Sequence, residues 1–313
     1  MEPAPFHQEV ALGPKTVDAV WLHTSDGVRV RTAVWRGGRE GTVFIFPGRS
    51  EYVEKYGRTA SALLARGVTA VSIDWRGQCL ADRLLRDPTI GHVRRFSDYQ
   101  RDVEAMFQFA EMQDLPQPWY LLAHSMGGCI GLRTLLGAHP FAAAGFSAPM
   151  WGVRIAPKLE ALAHVLPILA TRLGLGNKRT PTTGRPSYML EAPFEGNLLT
   201  TDPEMWDYIV AQARADAGFR LGGPSLTWLA EALAETRSLL RAPRPDLPAH
   251  ASVGTLEKIV IAETVETMMS TWTPSSFSWV DGAEHELLME RPAVRDAFLE
   301  QVFEIYGEAR RAA

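Results

Sequence analysis

Ser125 lies in a segment whose pattern can present a reactive hydroxyl group. The apolar run Trp119–Ala123 predicts a buried strand, and a helix is expected from about residue 126 to 137. Gly127, two positions after the serine, and Ala123, two positions before it, are both small. A tight strand-to-helix turn needs small residues there, and it lifts the serine oxygen above the sheet. The segment therefore predicts a nucleophilic serine, with an incidental serine in a glycine-rich turn as the alternative.

His285 is the predicted base for this serine. A serine hydroxyl attacks a carbonyl when a base accepts its proton and a carboxylate orients that base. Where the serine follows a strand in this way, the chain order is serine, acid, histidine. Among the eight histidines, His285 follows the predicted strand Phe277–Val280 in a short loop before the final helix. His164 falls within a helical segment and His250 begins a strand at its wrong end; a histidine in a surface loop is the alternative.

Glu257 is the predicted acid, because it is the carboxylate in the turn that follows the predicted strand Ala249–Gly254. Glutamate is about one carbon longer than the more common aspartate, so its backbone must lie slightly farther back. The alternatives are a surface glutamate paired with Lys258, and Glu263 as the acid instead. Three more carboxylates flank the histidine in sequence, which does not by itself align them with its ring: Asp281, Glu284 and Glu286.

Two backbone N–H groups could hold the negative charge that develops on a carbonyl oxygen during acyl transfer. The N–H of Met126, directly after the serine, is the first. The second is expected from the loop after the buried strand Thr42–Phe46, where the N–H of Arg49 is the candidate and Gly48 permits close approach; an ordinary turn is the alternative. Three residues near these groups are predicted to contact the substrate: Gly48, His124 and Trp151.

The elements around these residues predict an α/β domain. Residues 17–36 have the alternation of an antiparallel hairpin. Residues 42–147 then read strand, helix, strand, helix, strand, helix, strand, which predicts a parallel sheet with crossover helices on both faces. Ser97 and Gln100 have the spacing of a capping box for a helix over about 98–112.

A helical insertion interrupts this pattern. From Pro149 to about Pro248 the sequence contains helix candidates over 157–174, 203–217 and 225–240 and no convincing strand. The strand-and-helix pattern then resumes. We therefore predict a mostly parallel α/β core, residues 1–148 and 249–313, with a helical cap, residues 149–248, inserted after the sixth strand. An insertion at the carboxyl ends of strands covers the ligand crevice.

The composition excludes several classes of protein. The net charge is −4 and no long run of one sign occurs, so nothing indicates nucleic-acid binding. Cys79 and Cys129 are too few for a disulfide framework and form no zinc pattern, so no metal and no cofactor are expected. No secretory signal is visible, and the apolar stretch Ala161–Thr171 is too short to span a bilayer. We expect a cytoplasmic protein with at most transient contact at the inner membrane face.

Several motifs together resemble the α/β hydrolases of the monoacylglycerol lipase and lysophospholipase L2 group, over roughly residues 25–305. Pro47-Gly48 stands where monoacylglycerol lipases usually have His-Gly, and Glu257 stands where the family usually has aspartate. The segments that carry the resemblance are Gly48–Gly57 (GRSEYVEKYG), Asp74–Gln78 (DWRGQ), Ala123–Gly128 (AHSMGG), Asn197–Glu204 (NLLTTDPE), Leu221–Leu229 (LGGPSLTWL) and Gly282–Arg291 (GAEHELLMER).

The resemblance implies a serine hydrolase that works through an acyl-enzyme and a cap that binds an acyl chain. The implied substrate is a single-chain lipid ester, a lysophospholipid or a monoacylglycerol. One alternative is a short-chain esterase, thioesterase or acyltransferase on the same scaffold. The other is a non-catalytic binding protein on a degenerate scaffold, against which the order Ser125, Glu257, His285 argues. The sequence does not indicate an oligomeric state.

Overall fold

A computed structural model describes residues 2–181, 183–184 and 187–312, and one mixed sheet runs through it. Its order is β1-β2-β3-β5-β4-β6-β7-β8-β9. The pairings from β1 to β5 through β2 and β3 are antiparallel, and all others are parallel. The strands are β1 (Glu2–Pro3), β2 (Val17–His23), β3 (Arg29–Trp35), β4 (Thr42–Phe46), β5 (Thr69–Asp74), β6 (Trp119–His124), β7 (Phe141–Ser147), β8 (Ala249–Gly254) and β9 (Ser275–Val280).

Helices cover both faces of the sheet, which confirms the predicted α/β class. In β4, Phe44 and Phe46 join a core cluster on one face, and Val43 and Ile45 join a second cluster on the other. The first cluster includes residues of the helices Tyr99–Met112, Met126–Leu135 and Ala262–Ser270, and the second includes residues of Gly57–Ala65 and Pro292–Ala312. The helices are α1 (Gln8–Ala11), α2 (Gly57–Ala65), α3 (Tyr99–Met112), α4 (Met126–Leu135), α5 (Pro157–Arg172), α6 (Tyr188–Glu191), α7 (Pro203–Ala215), α8 (Leu226–Arg241), α9 (Ala262–Ser270) and α10 (Pro292–Ala312).

Helices α5 to α8 lie in the segment between β7 and β8. Asp202 caps α7, since its side chain accepts the N–H of Glu204, and Pro203 occupies the first turn. Ser225 caps α8 by accepting the N–H of Trp228. Within the described residues, no helix has both the length and the hydropathy that crossing a membrane requires.

Two details differ from the sequence prediction. The short strand β1 makes β7, before the helical segment, the seventh strand in chain order; a two-residue strand leaves no periodicity to detect. The predicted capping box of Ser97 and Gln100 does not form. A 3₁₀ turn over Phe96–Asp98 precedes α3 instead, and the Asp98 carboxylate accepts the N–H of Arg95. The Gln100 amide is used to tie α3 to α4, donating to the carbonyl of Ile130.

His250 gives the fold a predictable sensitivity to acid. It is buried in β8 between the hydroxyls of Ser276 and Ser252, at 2.8 and 2.7 Å, and burial lowers its pKa to about 4. The unfolded chain, with a histidine pKa of about 6.5, binds more protons between these values, so stability is lost as the pH falls from about 6.5 to 4.

Replacing His250 with glutamine should therefore flatten the acid side of the stability profile. Between pH 7 and pH 5 we expect the wild type to lose about 1–2 kcal/mol more free energy of unfolding than His250→Gln, measured by urea titration. His23→Gln, on the exposed side of β2, is the control and should behave like the wild type. Equal losses in the wild type and His250→Gln would contradict the prediction.

Candidate active site

Ser125 lies at the turn between β6 and α4 in a strained conformation. Its φ is +49°, a left-handed value that a non-glycine residue adopts at some energetic cost. A Cβ on Gly127 would lie 2.0 Å from the carbonyl oxygen of Phe46, so the turn requires glycine there. Ala123 is fully buried within β6, where its methyl group packs without a clash. The turn thus has the geometry that the small residues around Ser125 predicted.

The side chains of Ser125, His285 and Glu257 form one chain of hydrogen bonds. The Nε2 atom of His285 lies 2.9 Å from the Ser125 Oγ, and its Nδ1 lies 2.6 Å from a carboxylate oxygen of Glu257. With a proton on Nδ1, the ring donates to the carboxylate and leaves Nε2 to accept the serine proton. All three residues are buried, so water competes little with these contacts.

The Glu257 carboxylate is held in its ionised form. Burial alone would raise its pKa, but the His285 ring lowers it, and the backbone N–H groups of Ile259 and Val260 do so too, leaving the pKa below its ordinary value. The alternative partner of Glu257, Lys258, lies 3.9 Å from Glu284 instead.

The other carboxylates that could have been the acid interact with different residues. Glu263 is exposed on α9, and its carboxylate pairs with Arg154 at 3.3 Å. Asp281 accepts the hydroxyl of Thr255. Of the carboxylates weighed from the sequence, Glu257 is thus the one that the structure places on the His285 ring.

Two backbone N–H groups lack an acceptor among the described residues, one directly after Ser125 in the sequence and one in the loop after β4. In the part of the chain that the structure describes, the backbone N–H groups of Arg49 and Met126 have no hydrogen-bond acceptor. Two hydrogen bonds hold the loop that carries Arg49. The Gly48 N–H donates to the Glu51 carboxylate, and the Gln78 amide donates to the Gly48 carbonyl at 3.1 Å. Both N–H groups therefore have no acceptor within the described part of the protein.

The serine lies at the edge of a cavity of about 300 Å³. Ser125 and His285 lie on its wall. The apolar part of the wall comes mainly from the segment between β7 and β8, through Met150, Val153, Met189, Leu198, Leu199 and Trp228. The polar part consists of Gly48, Arg49, Ser50, Glu51, Lys55, His124, Ser187 and Glu286, beside Tyr188. Such a cavity, mostly apolar with a few convergent polar groups, is typical of a binding site for a small organic molecule.

Comparison with known proteins identifies the family of this chain. The family model described as serine aminopeptidase, S33, matches residues 37–292. The chain belongs to this family. The family match and the fold together identify the protein as an α/β hydrolase, which confirms the resemblance found in its motifs.

Three known proteins illustrate the relationship. Lysophospholipase L2 of Escherichia coli K12 is 30% identical over 296 residues, covering 90% of this hydrolase and 85% of that protein. A probable lysophospholipase L2 of Haemophilus influenzae is 26% identical over 257 residues, covering 82% and 80%. The crystal structure of a soluble variant of monoglyceride lipase from Saccharomyces cerevisiae superposes with a TM-score of 0.73 at 17% identity, covering 98% of this chain and all of that one. That structural likeness concerns the fold.

The loop that carries His285 is held by the segment between β7 and β8. The N–H of Glu286 donates to the carbonyl of Leu199 at 2.8 Å, and the N–H of His285 lies 3.4 Å from the carbonyl of Leu198. A Cβ on Gly254, at the end of β8, would lie 2.1 Å from the carbonyl oxygen of Ala283, so only glycine leaves room for the His285 loop. The hydrolase thus positions its histidine with contacts from both sides.

A buried charged cluster beside the serine was not identified from the sequence. The Lys55 ammonium binds Glu51 at 2.7 Å and Glu286 at 2.6 Å, and the Tyr56 hydroxyl donates to Glu51. Burial would raise the pKa of Glu51, but the Lys55 charge lowers it to about 2, whereas burial raises the pKa of Glu286. The i,i+4 spacing of Glu51 and Lys55 was the one feature of the sequence that could have indicated this ion pair. The cluster joins the Gly48–Glu51 loop to the His285 loop.

His124 lies against this cluster. Its Nε2 is 3.7 Å from a Glu51 oxygen, its Nδ1 is 3.0 Å from the Ser147 carbonyl, and burial lowers its pKa to about 4. His124 is therefore neutral at pH 7. With Glu51 and Glu286 it offers three ligand atoms within 4.8 Å of one another, but the Lys55 ammonium already supplies the cation that binds both carboxylates.

Trp151 was predicted to contact the substrate, but it lies in the core and does not line the cavity. Its side chain is fully buried, its indole N–H donates to the Gly128 carbonyl at 3.1 Å, and its ring packs between Phe146 and Trp272. It is not part of the cavity wall, whereas Gly48 and His124 are. A large aromatic side chain just after β7 packs beneath α4 because the apolar core there excludes more water than the cavity does.

Proposed function

We propose that this hydrolase cleaves single-chain lipid esters, lysophospholipids or monoacylglycerols, through an acyl-enzyme formed on Ser125. The observation that carries the proposal is the unbroken hydrogen-bonded chain from Ser125 through His285 to Glu257, at the wall of a largely apolar cavity. The relationship to lysophospholipase L2 of Escherichia coli supports the choice of lipid esters.

The geometry leads to a two-step mechanism. The Ser125 hydroxyl attacks the ester carbonyl while Nε2 of His285 accepts its proton, and Glu257 stabilises the imidazolium that forms. The N–H groups of Met126 and Arg49 bind the oxyanion of the tetrahedral intermediate. His285 then gives the proton to the leaving alcohol. In the second step His285 activates a water molecule, which releases the fatty acid and restores the serine.

We further propose that residues 149–248 act as the cap that receives the acyl chain. Their apolar side chains supply most of the apolar wall around the serine. A second cavity of about 340 Å³ lies beneath α5 and shares Val153 with the first, which extends the apolar surface available to a chain. The exposed side chains of Leu162, Val165 and Ile168 on α5 support transient contact with a membrane surface.

A panel of esters tests the substrate class. We expect the purified protein to hydrolyse lauroyl-glycerol and lauroyl-lysophospholipids. With chromogenic esters, kcat/KM is expected to be at least about ten-fold higher for decanoyl than for acetyl, since each buried CH₂ contributes about 0.8 kcal/mol. A fluorophosphonate probe should label Ser125, located by peptide mass spectrometry.

Each alternative has its own signature in the same panel. A preference for acetyl over decanoyl would indicate a short-ester hydrolase, and turnover of thioesters or amino-acid amides alone would indicate another acyl chemistry. Failure of the fluorophosphonate to label Ser125, together with no turnover of any ester, would indicate a non-catalytic protein and contradict the proposal.

A further inference from the structure

The side chain of Arg49 reaches the wall of the active-site cavity with an incomplete set of partners. Its Nη2 donates to the carbonyl of Gly222 at 2.5 Å, and its guanidinium carbon lies 5.4 Å from the ring centre of Trp228, which also lines the cavity. Its Nη1 makes a long contact of 3.4 Å with the Ser50 hydroxyl. The Nε atom is buried, and no acceptor among the described residues is within hydrogen-bond distance of it.

No carboxylate pairs with Arg49 in residues 2–181, 183–184 and 187–312. The two arginines that are fully buried both bind carboxylates: Arg31 binds Glu54 at 2.6 Å and Asp74 at 2.8 Å, and Arg76 binds Asp102 at 2.7 Å. Burial lowers the pKa of Arg49 to about 10, so it still carries its charge at neutral pH. The Arg49 side chain is only partly exposed, and a charge that is largely kept from water without an anionic partner costs free energy that a bound anion would recover.

We propose that the Arg49 side chain recognises the phosphate of a lysophospholipid head group. This inference rests on the proposed function and deepens it. A guanidinium presents planar, charged N–H donors that match phosphate oxygens, and the Arg49 side chain lies on the cavity wall with no carboxylate bound to it among the described residues. A monoacylglycerol has no group of this charge. Arg49 would therefore set the preference between phosphate-bearing and neutral lipid esters with the same acyl chain.

The competing explanation is that Arg49 only anchors the helical segment through Gly222. Arg83 is a matched control for that role. Its Nη2 donates to the carbonyl of Gly218, in the same segment, at 2.5 Å, and it has no ion pair among the described residues. Arg83 does not line the active-site cavity. Loss of an anchoring contact alone would affect both classes of ester similarly, whereas loss of phosphate recognition would change their ratio.

The test uses two esters that differ only in the phosphate: 1-lauroyl-glycerol 3-phosphate and 1-lauroyl-glycerol. For the full chain we expect the ratio of kcat/KM values, phosphate ester over neutral ester, to fall at least about ten-fold in Arg49→Met. The change should lie mainly in KM for the phosphate ester. Arg49→Lys, which keeps the charge, should restore part of the ratio, and Arg83→Met should leave it unchanged. The ratio cancels any loss that the two esters share.

A second measurement remains informative where a variant folds poorly or an ester is not cleaved. Glycerol 3-phosphate should bind the wild type, by calorimetry, and inhibit hydrolysis of 1-lauroyl-glycerol competitively, with at least about ten-fold weaker binding to Arg49→Lys or Arg49→Met. An unchanged ester ratio in Arg49→Met, or equal binding of glycerol 3-phosphate to wild type and variants, would overturn the inference. Turnover of neither ester by the wild type would instead overturn the proposed function.

Discussion

An alanine in place of Ser125 is expected to lower kcat/KM about 10⁴- to 10⁶-fold for every ester that the wild type cleaves. The reason is that no acyl-enzyme can form without the hydroxyl that lies 2.9 Å from the His285 ring. The rest of the cavity wall remains, so binding of substrate should change little. His285→Ala should show a loss of similar size, because serine and histidine act as one unit.

The control for this experiment is Ser187→Ala. Ser187 is a buried serine on the wall of the same cavity, but its hydroxyl has no hydrogen-bond partner among the described residues. We expect its replacement to change kcat/KM by less than about ten-fold, and circular dichroism should show both variants folded. A Ser125→Ala protein that keeps most of its activity, or equal losses at the two serines, would mean that another residue forms the covalent intermediate.

Glutamine in place of Glu257 is the second large effect, an expected loss of about 10³- to 10⁴-fold in kcat. The amide cannot carry the negative charge that stabilises protonated His285, and its NH₂ group can favour the wrong tautomer of the ring. Glu257→Asp keeps the charge on a side chain about one carbon shorter, and so should lose less than Glu257→Gln. Steady-state kinetics with one preferred ester measure all of these variants.

Two neighbouring glutamates provide the controls for Glu257. Glu263, which lies on α9, pairs with Arg154, and Glu284 lies near Lys258. Glu263→Gln and Glu284→Gln should therefore each retain activity within about ten-fold of wild type. A loss at either position as large as that at Glu257 would mean that this other glutamate is needed as the acid. This outcome would also leave the 2.6 Å contact between Glu257 and His285 without a catalytic explanation.

Much of the candidate site could be predicted from local pattern. Ser125 was identified because a buried strand, a small-residue turn and a helix occur in immediate succession, and that order has a steric cause at Gly127. His285 and Glu257 followed from chain order, because residues just after parallel strands meet at one edge of the sheet. The structure brings these three side chains within hydrogen-bond distance of one another.

The errors arose where a residue's environment depends on distant parts of the chain. Trp151 follows β7 as a substrate-contacting residue could, but it packs onto Phe146 and Trp272 instead. Gln100 has the spacing of a capping residue, yet its amide binds Ile130 on the neighbouring helix. In both cases a tertiary contact outweighed the local signal, and no sequence pattern reports which side chain will be across the core.

The amino-acid sequence by itself determined the class of fold, the position of the serine turn and the order of the three polar residues, because strand and helix periodicity and turn sterics are local properties. Only the tertiary structure decided which carboxylate meets the His285 ring, how Lys55 joins Glu51 to Glu286, and that Arg49 has no acidic partner among the residues that the structure describes. These depend on side chains that are far apart in the sequence, such as Lys55 and Glu286 at a separation of 231 residues, which meet only when the sheet and the helical segment fold around one cavity.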